Sequence, residues 1–184
     1  MNFVFDFDLT LTNKTSDGIT KQNANNYIEL FDSEDKLNQL KKYLRYIKQK
    51  GHNIFINTRA LVSDINHIIK NIGIDSMINR VMGSNKIEHI NKPFSQIELN
   101  HYGLTNITNN EILWAIKKVI FLNEIKDKEK NSNNILFFDD SIININTAKL
   151  NGYENSYLIG SDDSGIFGLD YLLIKLDEIF SNLL

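Results

Sequence analysis

The sequence of 184 residues contains no cysteine and only one proline, Pro93. Without cysteine the chain forms no disulfide, no thiolate metal site and no cysteine nucleophile. No apolar run is long enough to span a membrane, and no secretory signal is recognisable. The formal net charge is -3, so composition does not indicate nucleic-acid binding, although nucleic-acid ends stay open as substrates. We therefore expect a cytoplasmic protein with no membrane association.

The remaining composition is that of an ordinary globular protein. Hydrophobic residues make up 42% of the chain and charged residues 23%. The length suits one domain with a substantial core, and no internal repeat or linker interrupts it. We predict a single domain over residues 1–184.

Short apolar segments alternate with segments that have helical spacing of apolar residues. The predicted strands cover about 2–7, 53–57, 78–82, 135–138 and 156–159. The predicted helices cover about 33–50, 61–72, 110–127, 142–150 and 169–183. This alternation predicts an α/β fold, a Rossmann-like three-layer sandwich with a central parallel sheet covered on both faces.

Polar side chains follow three of the predicted strands. Asp6 and Asp8 end the first strand, Thr58 the second, and the pair Asp139-Asp140 a later one. Two carboxylates placed two residues apart point to the same face of a strand, and a divalent cation offsets their burial and mutual repulsion. Ligands of parallel sheets bind beyond the carboxyl ends of the strands. The pattern predicts a divalent-metal site that could also hold phosphate.

These motifs resemble those of the haloacid dehalogenase superfamily, and within it the phosphatases. The family's first motif, Asp-x-Asp-x-Thr, corresponds to Asp6-Phe7-Asp8-Leu9-Thr10, and its second, a Ser or Thr after the next strand, corresponds to Thr58. The sequence Phe137-Phe138-Asp139-Asp140, with Asn144 four residues on, is similar to the fourth motif of the small magnesium-dependent phosphatases. The resemblance covers about 1–160 in the expected order.

The resemblance implies a Mg²⁺-dependent phosphomonoester hydrolase that acts through an aspartyl-phosphate. Asp6 would be the nucleophile, and Asp8 would act as general acid and then general base. The metal ligands would be Asp6, Asp140 and the main-chain carbonyl of Asp8, a set of oxygens that suits Mg²⁺. Two alternatives stay open, namely a catalytically silent module that binds phosphate or a partner, and a phosphotransferase.

The same resemblance assigns supporting roles to five further positions. Thr58 would bind the phosphoryl group, aided by backbone amides near Arg59. Asp139 and Asn144 would hold metal-bound water or the lysine of the third motif. For that lysine we favour Lys117, because Phe121 follows it by four residues, with Lys118 as the alternative. Its ammonium would offset negative charge on the nucleophile and the substrate.

Two segments could cover the site, a flap over about 13–32 and an irregular insertion over about 84–108. Both are too short for a large cap domain, so we expect a minimal cap or none. The resemblance to family members without a cap implies macromolecular substrates, such as phosphoproteins or nucleic-acid ends, or a partner chain that serves as lid. Small phosphate esters and nucleotides stay open as substrates.

Overall fold

A computed structural model describes residues 1–16, 27–86, 90–129, 134–160 and 165–182. Within these residues five parallel strands form one sheet: β1 (Asn2–Phe5), β2 (Asn53–Leu61), β3 (Arg80–Ser84), β4 (Ile135–Asp139) and β5 (Ser156–Leu158). Their order across the sheet is β3-β2-β1-β4-β5. The first strand therefore lies at the centre, with β2 and β4 as its neighbours.

Six helices of the described chain connect and cover these strands. They are α1 (Glu34–Gln49), α2 (Val62–Asn71), α3 (Gln96–His101), α4 (Asn110–Glu129), α5 (Ile142–Leu150) and α6 (Gly168–Asn182). Ser33 caps α1 by accepting a hydrogen bond from the Lys36 amide, and the Lys-rich end of α1 suits the negative end of the helix dipole. None of the described helices combines the length and the apolar character that crossing a bilayer requires.

The sheet separates two layers of core. Phe3, Phe5 and Phe138 pack with α1, α2 and α6 on one face. Val4 and Phe137 pack with α4 and α5 on the other. Because successive side chains of a strand alternate between faces, this assignment also decides where the residues that follow each strand point.

The structure confirms the predicted α/β architecture. It also shows secondary structure in the two segments that were expected to form a flap and an irregular insertion. Tyr27–Phe31 forms a 3₁₀ turn whose Tyr27, Leu30 and Phe31 are buried, so this end of the expected flap belongs to the core. Residues 17–26 of that flap lie outside the described residues. The expected irregular insertion contains α3, which begins with a capping box between Ser95 and Glu98.

Candidate functional site

The site lies where β1 and β4 end side by side. Phe5 pairs with Phe138 in the parallel register, so Asp6 and Asp139 follow at the same level. Asp6 lies two residues after Val4, and Asp139 lies two residues after Phe137, so each aspartate shares the sheet face of that residue, which packs against α4. Both carboxylates therefore point toward α4, and both are buried.

Lys118 lies between these two carboxylates. Its Nζ atom is 2.9 Å from Oδ2 of Asp6 and 2.6 Å from Oδ2 of Asp139, and the residue is only 2% exposed. The side-chain amide of Asn57 on β2 donates a hydrogen bond to the main-chain carbonyl of Lys118 at 3.0 Å. Burial lowers the pKa of the Lys118 ammonium, but the two carboxylates outweigh burial and raise it above its ordinary value. The ammonium therefore stays charged.

The prediction that Lys117 is the lysine of the site is wrong. Its Nζ atom contacts Oε1 of Glu98 at 2.9 Å and lies over the rings of Phe94 and Phe121. One residue along an α-helix is a rotation of about 100°, so neighbouring lysines leave the helix in different directions. Lys118, the alternative, is the lysine that reaches the carboxylates.

Asp6 and Asp140 form an acidic pair beside this lysine. Carboxylate oxygens of Asp6, Asp139 and Asp140 lie within 4.8 Å of one another. Burial raises the pKa of Asp6, Lys118 opposes this rise and the Asp140 charge adds to it, with a resulting pKa of about 6. Burial and the adjacent Asp139 also raise the pKa of Asp140. A positive charge placed between Asp6 and Asp140 would relieve this repulsion.

Asp139 is already saturated by protein donors. Its Oδ2 binds Lys118, and its Oδ1 accepts hydrogen bonds from the Ser141 amide at 2.9 Å and from the Asn144 side chain at 2.8 Å. These contacts agree with the predicted association of Asp139 and Asn144 with the lysine. They leave Asp140, which is half-buried and lines the cleft, as the more available carboxylate of the pair.

Asp8 is held by the chain that follows β1. The carboxylate of Asp8 accepts hydrogen bonds from the Ser16 amide at 2.6 Å and from the Ser16 hydroxyl at 3.1 Å. Asp8 itself belongs to an irregular turn, Phe7–Leu11, in which Leu9 has φ of +56°. A left-handed conformation at leucine is rare, and such residues cluster at functional sites.

Thr58 and Arg59 reach the site through a bulge in β2. Asn57 pairs with Met82, and Leu61 pairs with Ser84. Three residues of β2 therefore lie opposite a single residue of β3, Gly83, which makes a bulge in β2. The Thr58 hydroxyl accepts a hydrogen bond from the Ala60 amide at 3.2 Å. The bulge places Thr58 and Arg59 on the wall of the cleft.

The cleft has a volume of about 290 Å³ and opens at the carboxyl edge of the sheet. The predicted residues on its wall are Asp6, Asp8, Thr58, Arg59, Asp140 and Asn144. Lys118, Glu111 and Trp114 of α4 complete one side, and Thr15, from the turn after β1, lies on another. The structure thus brings together the predicted motifs, with Lys118 in place of Lys117.

Several residues at the site were missed by the sequence analysis. Asn57 interrupts a buried apolar strand, which is a recognisable signal, but asparagine is too common in this chain for the signal to stand out. Ser16, which holds Asp8, lies in a polar segment with no distinctive pattern. Trp114 is buried, and its indole NH donates a hydrogen bond to the Ile90 carbonyl at 2.8 Å, a contact that spacing along the sequence does not indicate.

The residues present fit a hard divalent cation. Asp6 and Asp140 offer carboxylate oxygens, and the described residues that line the cleft include no histidine, cysteine or methionine. Such oxygen ligands suit hard cations such as Mg²⁺, Ca²⁺ and Mn²⁺. Burial and neighbouring carboxylates raise the pKa values of Asp6 and Asp140, and a bound cation would oppose both effects.

Solved structures of other proteins have the same architecture. A haloacid dehalogenase-like hydrolase from Streptococcus pneumoniae superposes with a TM-score of 0.54 at 12% identity, over 100% of this chain and 98% of that one. A protein from Thermotoga maritima, assigned provisionally as a beta-phosphoglucomutase, superposes with a TM-score of 0.51 at 13% identity, over 97% of this chain and 99% of that one. The predicted haloacid dehalogenase-like fold is thereby confirmed.

Comparisons of sequence add nothing to this structural likeness. No protein-family model matches the chain. No curated protein matches it either. The activity must therefore be argued from the site itself.

Proposed function

We propose that this chain is a haloacid dehalogenase-type phosphatase, a Mg²⁺-dependent phosphomonoester hydrolase that acts through an aspartyl-phosphate. The observation that carries the proposal is the cluster of Asp6, Asp140 and Lys118 at the end of the central strand. A structural ion pair would need one carboxylate for one lysine. Here a second and a third carboxylate lie beside the lysine in a cleft large enough for a phosphoester.

Two of these residues prepare the reaction. Oδ1 of Asp6 accepts a hydrogen bond from the Phe7 amide at 2.7 Å, and Oδ2 binds Lys118, so the carboxylate is fixed in one orientation. A fixed nucleophile reacts without the entropic cost of being oriented. Lys118 offsets negative charge on Asp6 as an anionic phosphoryl group approaches. When bound, Mg²⁺ would be held by Asp6, Asp140 and the Asp8 carbonyl, and would supply further charge neutralisation.

The proposed reaction has two balanced steps. An oxygen of Asp6 attacks phosphorus, the bond from phosphorus to the leaving oxygen breaks, and Asp8 gives its proton to that oxygen. Water then attacks the aspartyl-phosphate and gives a proton to Asp8. The bond from phosphorus to Asp6 breaks, which releases inorganic phosphate and restores the Asp6 carboxylate. Thr58, on the cleft wall, would donate a hydrogen bond to the phosphoryl oxygens.

The test is hydrolysis of 4-nitrophenyl phosphate with Mg²⁺ and with excess chelator. We expect turnover that requires the metal and that falls by about 10³-fold or more in Asp6→Asn. Asp35→Asn, a change of the same kind on an exposed residue of α1, serves as the matched control and should keep its activity. Full activity in Asp6→Asn or in chelator would contradict the proposal.

A binding measurement, and the same assay with an added alcohol, separate the two alternatives from the hydrolase. A silent binding module would bind Mg²⁺ or inorganic phosphate and turn over no phosphoester. A phosphotransferase would pass the phosphoryl group to an added alcohol in preference to water, so the products would contain more alkyl phosphate than inorganic phosphate. A hydrolase would release inorganic phosphate and 4-nitrophenol in equal amounts, and added alcohol would change this proportion little.

A further inference from the structure

Arg59 is the cation of the cleft that the proposed chemistry leaves unused. Among the cleft-lining residues of the described chain, the positively charged side chains are Lys118 and Arg59. Lys118 is committed to Asp6 and Asp139. Arg59 belongs to none of the ion pairs formed within the described residues, and its side chain is exposed.

A contact with the insertion fixes the orientation of Arg59. Its Nε atom donates a hydrogen bond to the main-chain carbonyl of Ile90 at 3.1 Å. The same carbonyl accepts the indole NH of Trp114 at 2.8 Å, which ties it to α4. A guanidinium group is planar and carries five donors, so the bond at Nε leaves the two terminal nitrogens for another partner.

The position of Arg59 distinguishes it from the residues at the reacting centre. Asp6, Lys118 and Thr58 are buried at the floor of the cleft, whereas Arg59, the next residue after Thr58, is exposed at its mouth. A phosphoryl group attacked by Asp6 would place its leaving group toward the mouth. The other charged side chains there are acidic, Asp8 and Glu111, so Arg59 is the group that favours an anion.

We propose that Arg59 selects substrates whose leaving group carries a second anionic group, a carboxylate or another phosphate, which its two terminal nitrogens bind. This inference rests on the proposed phosphatase activity. Planar, two-donor recognition of carboxylate and phosphate is the geometry to which arginine is suited. The bond to Ile90 makes the selection depend on the insertion, because that contact holds the guanidinium in place.

The test compares substrates that differ by one anionic group in the leaving group. The carboxylate pair is 3-phosphonooxypropionate against 3-hydroxypropyl phosphate, and the bisphosphate pair is 1,3-propanediol bisphosphate against the same monophosphate. We expect kcat/KM to favour the charged member of at least one pair by about 10- to 100-fold, the range for a charge-assisted hydrogen-bonded contact. The pair that shows the preference identifies the anion.

Three variants connect this preference to Arg59. In Arg59→Gln, kcat/KM for the substrate with the second anionic group should fall close to kcat/KM for its partner without that group. Arg59→Lys should keep only part of the preference, because a lysine cannot bind Ile90 and hold a two-pronged contact at once. Arg80→Gln is the matched control, since Arg80 pairs with Glu124 away from this cleft, and it should leave the preference unchanged.

A binding measurement gives a readout that does not depend on turnover. Calorimetry of the wild-type protein with 3-phosphonopropionate and with propylphosphonate should show the same preference for the charged compound, lost in Arg59→Gln. If Arg59→Gln lost affinity equally for 3-phosphonopropionate and propylphosphonate, Arg59 would bind the phosphoryl group itself. That result would overturn the inference and leave the proposed phosphatase activity standing. Absence of turnover with every phosphoester would overturn the proposed function, and this inference with it.

Discussion

Lys118 is an ammonium group buried between two carboxylates, and its neighbour in sequence is a lysine at the edge of solvent. A buried ion pair is costly to break, because the remaining charge stays in a medium that solvates it poorly. The half-exposed pair of Lys117 with Glu98 is screened by water and contributes little. The two lysines therefore form a natural matched pair for mutation.

We expect Lys118→Met to lower kcat/KM for an aryl phosphate by about 10²- to 10³-fold, because the charge next to the nucleophile is lost. The free energy of unfolding should fall by about 3 kcal/mol, since Asp6 and Asp139 lose their shared partner. Lys117→Met should change both quantities little. Steady-state kinetics and urea denaturation measure them, and a larger kinetic loss in Lys117→Met would contradict the assignment.

The sequence also indicates Lys118, although Phe121, four residues after Lys117, favoured Lys117 instead. Lys118 lies four residues after Trp114 and four before Leu122, both buried, so it falls on the apolar face of α4. A lysine on that face must find a buried partner. Asp6, Asp8 and Asp140 were predictable because they directly follow apolar segments, where a carboxylate needs a compensating charge. Ser16 was not, because its contact with Asp8 depends on the path of a turn.

Among the elements, β2 and its bulge decide where Thr58 and Arg59 lie. Gly83 on β3 makes the bulge possible. A Cβ atom at this position would lie 2.7 Å from the Ala60 carbonyl oxygen and 2.9 Å from that of Thr58. Backbone atoms cannot move aside as a flexible side chain can, so any larger residue would push β2 away from β3.

We expect Gly83→Ala to lower the free energy of unfolding by about 1–3 kcal/mol, the range for overpacking, and to raise KM for phosphoesters as Thr58 and Arg59 shift. Gly160→Ala is the control, because its nearest atom, the Asp140 carbonyl oxygen, would be 3.6 Å away. Urea denaturation and steady-state kinetics measure the two effects. Equal behaviour of the two variants would show that the bulge tolerates a Cβ atom.

The short helix α3 is attached to the core through Glu98. Burial raises the pKa of Glu98, but hydrogen bonds from Ser95 and Lys117 outweigh burial and lower the pKa to about 2. A carboxyl with a lowered pKa in the folded state stabilises that state above its ordinary value of 4.5. This contribution disappears as the pH falls from about 5 toward 2.

The difference in unfolding free energy between the wild type and Glu98→Gln should therefore be largest above pH 5 and should shrink toward pH 2. Glu34→Gln, in the exposed first turn of α1, provides the comparison, and its difference from the wild type should change less over the same range. Urea denaturation at a series of pH values measures both. A difference for Glu98→Gln that grows with acidity would contradict the assigned ion pair.

For the whole molecule, the alternation of apolar segments was enough to predict the parallel sheet. The strands β1, β2 and β4 are apolar runs bounded by polar residues, and their identity follows from burial on both faces. The small helix α3 was missed because six residues with no buried side chain leave no periodic pattern. The path of residues 13–16 was equally unreadable, since it depends on contacts with Leu30 and Asp8 that are distant in sequence.

Binding of Mg²⁺ to the folded state alone should stabilise the whole molecule. At a concentration one hundred times its dissociation constant, the gain is about 2.7 kcal/mol, which corresponds to a rise in Tm of several degrees. We expect this rise in the wild type and its loss in Asp140→Asn, whereas Asp75→Asn, on the surface, should keep it. Thermal denaturation with and without Mg²⁺ measures the effect, and an equal rise in all three proteins would exclude a site at Asp140.

The central position of β1 has a consequence for synthesis on the ribosome. Its partner β4 is translated about 130 residues later, yet Asp6 meets Asp139 only when the two strands pair. A nascent chain that has not yet exposed β4 already contains Lys118 but lacks Asp139 and Asp140, the carboxylates that complete the cluster around Asp6. Activity would thus begin only late in translation, and incomplete chains released before that point would be inert toward phosphoesters.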